Sequence, residues 1–122
     1  MMSYAANAYA RTSQVALTPR EAEAAILIKA AVSLQAVQDN WGAHQLTLDD
    51  ALGYNRKVWT LLATSATEAD SPLSQELKVS MAQLGAFVFT RTLDTLVEPS
   101  ADKLTALIEI NRNLANGLRG NA

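Results

Sequence analysis

The sequence predicts an all-α fold, a small antiparallel four-helix bundle with an N-terminal arm, on three observations. Apolar residues recur at three- and four-residue intervals over four long stretches, the spacing that lines one side of a helix. Start and stop residues punctuate the chain between those stretches, at Thr18-Pro19, Asp39 to Thr47, Thr67 to Pro72 and Glu98-Pro99-Ser100. Nothing alternates with the two-residue period of a half-buried strand over a useful length. Connectors of a few residues make consecutive helices antiparallel neighbours, and 122 residues with 49% hydrophobic content suffice for one core.

Residues 1–17 are rich in alanine and short polar side chains, with Tyr4 and Tyr9 as the large anchors before Val15 and Leu17. This segment reads as an arm, because it has too little apolar surface to offset its own ordering entropy. The bundle domain is expected over 18–118, and 119–122 as a frayed tail. Thr18-Pro19-Arg20-Glu21 is a helix start: Thr18 caps, Pro19 has no N–H to leave unpaired, and Glu21 completes a capping box. The first helix should run to about Gln38, with apolar residues around most of its circumference. A loop is expected from Asp39 to Leu46, with Asn40 or Gly42 in the left-handed conformation that ends helices and Trp41 pinning the turn.

Thr47-Leu48-Asp49-Asp50 should open the second helix, with Thr47 as cap and two carboxylates at the positive end of the helix dipole. It should continue to about Ala66. Ser71-Pro72 restarts the pattern, and Leu73, Leu77, Met81, Leu84, Phe87 and Val88 form the main apolar stripe of the third helix. A second strip, Val79, Ala82, Ala86, Phe89 and Leu93, lies nearly opposite, and one bundle does not easily bury both. Gly85 in mid-helix costs about 1 kcal/mol relative to alanine unless close packing requires it. The helix ends by about Val97, before Pro99. Ser100 should cap the last helix, with Asp102 in its first turn, and Gly117 or Gly120 should end it near Asn116.

Two helices carry an amide on their apolar seam. Leu48, Leu52, Asn55, Trp59 and Leu62 are spaced 4, 3, 4, 3, as are Leu104, Ile108, Asn111, Ala115 and Leu118. That shared rhythm suggests that these two helices pack against each other. Leaving either amide unpaired inside costs about 1–3 kcal/mol. Asn55 and Asn111 therefore either satisfy each other and fix helix register, or present donors and acceptors to a partner; Arg56 and Arg112 flank them at the edge of each seam.

Composition excludes several classes of function. There is no cysteine and a single histidine, His44, so thiolate and histidine metal clusters are ruled out and no metal or cofactor is expected. Ten basic residues against twelve acidic ones, dispersed over the helices, make a poor footprint for a phosphate backbone. Asn55-Arg56-Lys57-Val58-Trp59 has the side chains of a recognition helix, but Asn55 lies on the apolar arc and so does not point into a groove of nucleic acid. No phosphate loop, nucleophile elbow or His-Glu-x-x-His helix is present, and a triad would have to recruit His44 from a turn; the protein is not expected to be an enzyme. No apolar run approaches the roughly 20 residues of a membrane span, and no secretory signal is evident, so a cytoplasmic location is expected.

Tyr9-Ala10, Thr18-Pro19-Arg20-Glu21-Ala22-Glu23, the run from Asn55 to Ala63 (Asn-Arg-Lys-Val-Trp-Thr-Leu-Leu-Ala) and the closing block Leu107 to Leu118 (Leu-Ile-Glu-Ile-Asn-Arg-Asn-Leu-Ala-Asn-Gly-Leu) carry a family likeness. With these blocks in this order, the chain resembles the flagellar biosynthesis regulator FlaF family of alphaproteobacteria. The resemblance implies a small cytoplasmic protein needed for flagellin production, acting as a flagellin-binding export chaperone alongside the regulator FlbT. The bundle's surplus apolar surface is then expected to receive an amphipathic helix of flagellin. Trp59 is the expected anchor, Arg56 and Arg112 the orienting charges, and Asn55, Asn111 and Phe89 further contacts. Two alternatives stay open: a post-transcriptional regulator touching flagellin mRNA, and an architectural helical homodimer.

Overall fold

The helix-start chemistry at Thr18 operates as its residues dictate: the Glu21 N–H donates to Thr18 Oγ1 at 3.1 Å, and Pro19 opens the helix. The computed structural model describes residues 18–71 and 73–120, and these form four helices with no strand. They are α1 (Pro19–Asp39), α2 (His44–Ala66), α3 (Gln75–Val97) and α4 (Lys103–Leu118). The arm expected over 1–17, and the last two residues of the tail, lie outside the described residues.

Three boundaries differ from the sequence reading. The stretch taken as a loop before Thr47 is largely helical: a 3₁₀ turn at Trp41–Ala43 feeds straight into α2 at His44. The His44 ring stacks on Trp41 with centroids 4.2 Å apart, and its Nδ1 donates to the Trp41 carbonyl oxygen at 2.9 Å. That local clamp replaces the cap expected at Thr47, which lies within the helix. Asn40 ends α1 with φ −125°, and among the described residues Gly120 alone has a positive φ (77°), ending α4 beyond Leu118. The third helix begins at Gln75, because Ser74 accepts from the Leu77 N–H at 3.1 Å and so caps it. At the last helix, backbone carbonyls of Ser100, Ala101 and Asp102 accept from residues three further on, so a tight turn replaces a side-chain cap from Ser100.

Each helix packs against its neighbours in a closed ring: α1 on α2 and α4, and α3 on α2 and, over a shorter stretch, α4. No Cα of α2 comes within 8 Å of a Cα of α4 among the described residues. The two helices with matching rhythm are therefore diagonal, not adjacent as the sequence suggested. Adjacent pairs run antiparallel. Gln38 near the end of α1 donates to Ala101 O (2.9 Å) and Thr105 Oγ1 (2.8 Å) at the start of α4. Near the α3–α4 turn, Lys103 pairs with Asp94 at 3.3 Å and donates to the Glu98 carbonyl at 2.7 Å.

The small side chains Ala24, Ala30 and Ala31, interleaved with Leu27, Leu34 and Val37, are the buried face of α1. Small residues let helix backbones approach closely, which accounts for its long interface with α4. The core of α3 is displaced from the expected stripe. Met81, Gly85, Val88, Thr92 and Thr95 are buried, whereas Phe87 is 38% exposed beneath the Arg91 guanidinium. Thr92 and Thr95 lose no hydrogen-bonding capacity inside, because each hydroxyl donates to the carbonyl one turn back.

Gly85 faces Trp59, yet a Cβ added there would lie 3.7 Å from the indole Cε3, an ordinary contact. Gly85→Ala should therefore raise stability by about 0.4–1 kcal/mol in urea denaturation, through helix propensity and a less flexible unfolded chain. A destabilisation of that size would show that the helices must approach more closely than this.

Glu23 on α1 has a buried carboxylate oxygen without a hydrogen-bond partner. Burial pushes its pKa above 4.5, while Arg20 one turn back pulls it down. A raised folded-state pKa supplies stability below the unfolded pKa and withdraws it as pH rises through the folded one. Glu23→Gln should thus stabilise the protein at neutral pH, and its advantage should shrink as the pH is lowered through the raised folded-state pKa and be gone below 4.5, as read by thermal melts across that range.

Candidate partner-binding groove

Asn55 projects from α2 between Leu52 and Trp59, and Asn111 from α4 between Ile108 and Leu114, all buried positions. The two amides meet across the bundle axis. Asn111 Nδ2 donates to Asn55 Oδ1 at 2.7 Å, and Trp59 Nε1 donates to Asn111 Oδ1 at 2.9 Å. Both asparagines are 0% exposed and Trp59 is 1% exposed. Asn55 Nδ2 ends this chain without a partner. The amides thus satisfy each other in the interior, and neither they nor the Trp59 indole reaches the surface, where a docking partner would meet them.

On the outside, the seam between α2 and α3 stays open. One half of the groove is lined by Asp49, Leu52, Gly53, Arg56, Phe89, Thr92, Leu93 and Leu96, and the other by Arg56, Lys57, Thr60, Leu61, Thr64 and Phe89. Arg56 and Phe89 belong to both halves, so the two form one trough. From Asp49 to Thr64 it follows α2 for about 22 Å, at the helical rise of about 1.5 Å per residue. Its walls are apolar and open to solvent: Leu93 is 64% exposed, Leu61 57% and Leu96 45%. Val79, Ala82 and Ala86 continue the exposed strip along α3, as its sequence spacing anticipates.

The geometry has a local cause. Gly53 offers no side chain on the α2 wall, and the α3 strip interposes Ala82 and Ala86 between larger residues, which leaves room outside the buried positions Leu52, Trp59, Gly85 and Val88. Phe89 plugs the floor, half-buried against the core. Arg56, one position after the buried Asn55, turns out onto the rim and forms no ion pair with any described residue.

Of the six residues read from sequence as partner contacts, the structure brings Arg56 and Phe89 together in this trough. Asn55, Trp59 and Asn111 lie beneath it or inside the core. Arg112 is exposed on α4, the helix diagonal to α2, and does not line the groove. Lys57, Leu93, Leu96 and Leu61 complete the surface. Leu93 was visible in the second apolar strip; the others depend on which helices are adjacent, which spacing does not encode.

A second concavity, between α1 and α2, is lined by Ser33, Ala36, Val37, Asn40, Thr47, Asp50, Ala51 and Tyr54, a mixture of apolar and polar side chains with no group of metal-ligating ones. Among the described residues no cluster of three or more histidine, aspartate or glutamate side chains is placed to hold a metal, and no helix is long and apolar enough to cross a membrane.

A family model described as flagellar protein FlaF matches residues 5–118. The chain belongs to the FlaF family. No curated protein and no solved structure matches it. The FlaF match takes in both walls of the groove and the whole buried amide chain, and it begins inside the segment ahead of α1.

The hydrogen-bond chain makes an asymmetric prediction. Asn111 holds two bonds, so Asn111→Leu orphans both the Trp59 indole N–H and Asn55 Oδ1. Asn55→Leu exchanges one unpaired donor for another. In urea denaturation Asn111→Leu should cost at least about 1 kcal/mol more than Asn55→Leu, and the double variant less than the sum of the two. Strict additivity would dissolve the proposed coupling.

Proposed function

We propose that this FlaF-family protein binds flagellin, holding an amphipathic helical segment of it in the trough between α2 and α3 as an export chaperone, and so promotes flagellin synthesis and secretion. The protein acts by binding and carries out no reaction. The single observation that carries this reading is the continuous apolar trough with Leu93, Leu61 and Leu96 exposed along it, on a chain of a flagellar family. A strip of this kind, rimmed by polar residues, is what helix-in-groove recognition requires, with apolar anchors giving affinity and rim charges giving orientation. A length of about 22 Å matches about four turns of a guest helix. In this reading Phe89, Leu93 and Leu96 contact the guest and Arg56 orients it, with the buried Trp59 supporting the floor from below.

Binding in the cytoplasm, before export, and cooperation with the regulator FlbT follow from the same reading. The test is flagellin titrated against the full-length protein by calorimetry. Leu93→Asp combined with Leu96→Asp should weaken binding at least about tenfold, since hydration of a buried carboxylate must be given up in the complex. Val32→Asp is the control, because Val32 is 57% exposed on α1, away from the groove. Equal losses from both changes, or none from the first, would move the binding surface elsewhere.

A further inference from the structure

The trough is apolar along its length but not symmetric in charge. Arg56 stands where its two halves join, Lys57 follows it on the rim, and among the described residues the only acidic one lining it is Asp49 at one end. Arg56 and Lys57 have no acidic partner among the described residues, in contrast to Lys103, which pairs with Asp94 and Glu98. The groove is therefore a net positive feature on a chain whose net charge is −2. Asp49 precedes Arg56 by seven residues, so the two share one stripe of α2 about 10 Å apart.

We propose that the segment held in the groove is an amphipathic helix that carries a carboxylate beside its apolar stripe, over Arg56 and Lys57, and no carboxylate two turns along, opposite Asp49. This rests on the reading that the groove holds a helical segment of another protein. The apolar walls strengthen the pairing: Phe89 and Leu52 line the same half of the trough as Arg56, and a guest helix laid across it would displace water from around the charge. Asp49 supplies the discriminating half of the device, because a second guest carboxylate there meets a like charge. A phosphate backbone fits poorly. It presents charge at every residue along the trough, where two neighbouring cations are followed by an anion, and the one aromatic side chain is half-buried in the floor.

The test uses the full-length protein and two helical peptides of about twenty residues. They share a leucine stripe at helical spacing and differ only at the central flanking position, glutamate in one and lysine in the other. Fluorescence anisotropy should show the glutamate peptide binding about tenfold tighter at low salt, with the ratio narrowing as salt rises. Arg56→Glu with Lys57→Glu should invert the preference, and Asp49→Asn should restore binding of a peptide bearing a second glutamate two turns away. Equal affinities, no binding of either peptide, or a preference that survives the charge reversal overturns the proposal.

A photo-crosslinking residue at Leu93 identifies the occupant. Capture of the glutamate peptide supports the proposal, whereas capture of residues 1–17 or of a second copy at saturating peptide overturns it, as does displacement of the peptide by single-stranded RNA. The two readings fail separately. Peptide discrimination without flagellin binding removes flagellin as the guest and leaves the groove chemistry standing; flagellin binding without discrimination does the reverse.

Discussion

The hydrogen-bonded chain from Trp59 through Asn111 to Asn55 is the constraint on which the rest of this bundle depends. It connects α2 to the diagonal helix α4 across the axis, where the backbones are too far apart to touch and apolar side chains alone would tolerate sliding. Directional bonds in a dry interior do not tolerate it: a shift of one residue would separate the amides and leave several polar groups unpaired, at about 1–3 kcal/mol each. Register between the diagonal helices is thereby set. The unpaired Asn55 Nδ2 is a standing cost of this arrangement, and the leucine and alanine layers around it supply the stability that offsets it.

The same chain positions α3. With its N–H held by Asn111, the Trp59 indole lies against α3 at Gly85, where an added Cβ would sit in van der Waals contact with it at 3.7 Å. That contact turns the line Met81, Gly85, Val88, Thr92 inward. The line Val79, Ala82, Ala86, Leu93 then faces outward beside α2, since positions on a helix are fixed relative to one another by 3.6 residues per turn. The open trough is thus the outer consequence of how an indole is held inside.

Much of this was legible in the chain. Four helices, the Thr18 cap and two seam amides follow from local spacing and local chemistry, which act over a few residues and leave their mark in sequence. The choice between amides pairing internally and amides presented outward needed the partner helix's position. Periodicity names the face of a helix that is buried and says nothing about what covers it, so equal rhythms in α2 and α4 read as adjacency when they mark a diagonal pair. Phe87 and Phe89 illustrate the same limit. They sit on opposite edges of the buried line through Val88, and the indole at Gly85 decides which edge goes toward the core. The segment before Thr47 misread for a different reason: its turn residues suggest a break, while the stacking of His44 on Trp41 carries the helix back to His44.

Arg56 joins the interior and the surface. Its neighbour Asn55 is immobilised by a bond to α4, so the backbone that carries the guanidinium is held in place and the charge is presented at a defined point along the trough. A preorganised groove spends less of a guest's binding energy on ordering, which is how a rim charge gains selectivity it would lack on a frayed helix. The linkage also runs outward. A guest of the proposed kind, bridging α2 and α3, would bind only when the two are docked, and by mass action would stabilise the docked state that the buried amides define. The register in the core and the specificity proposed for the surface would then both follow from one set of hydrogen bonds.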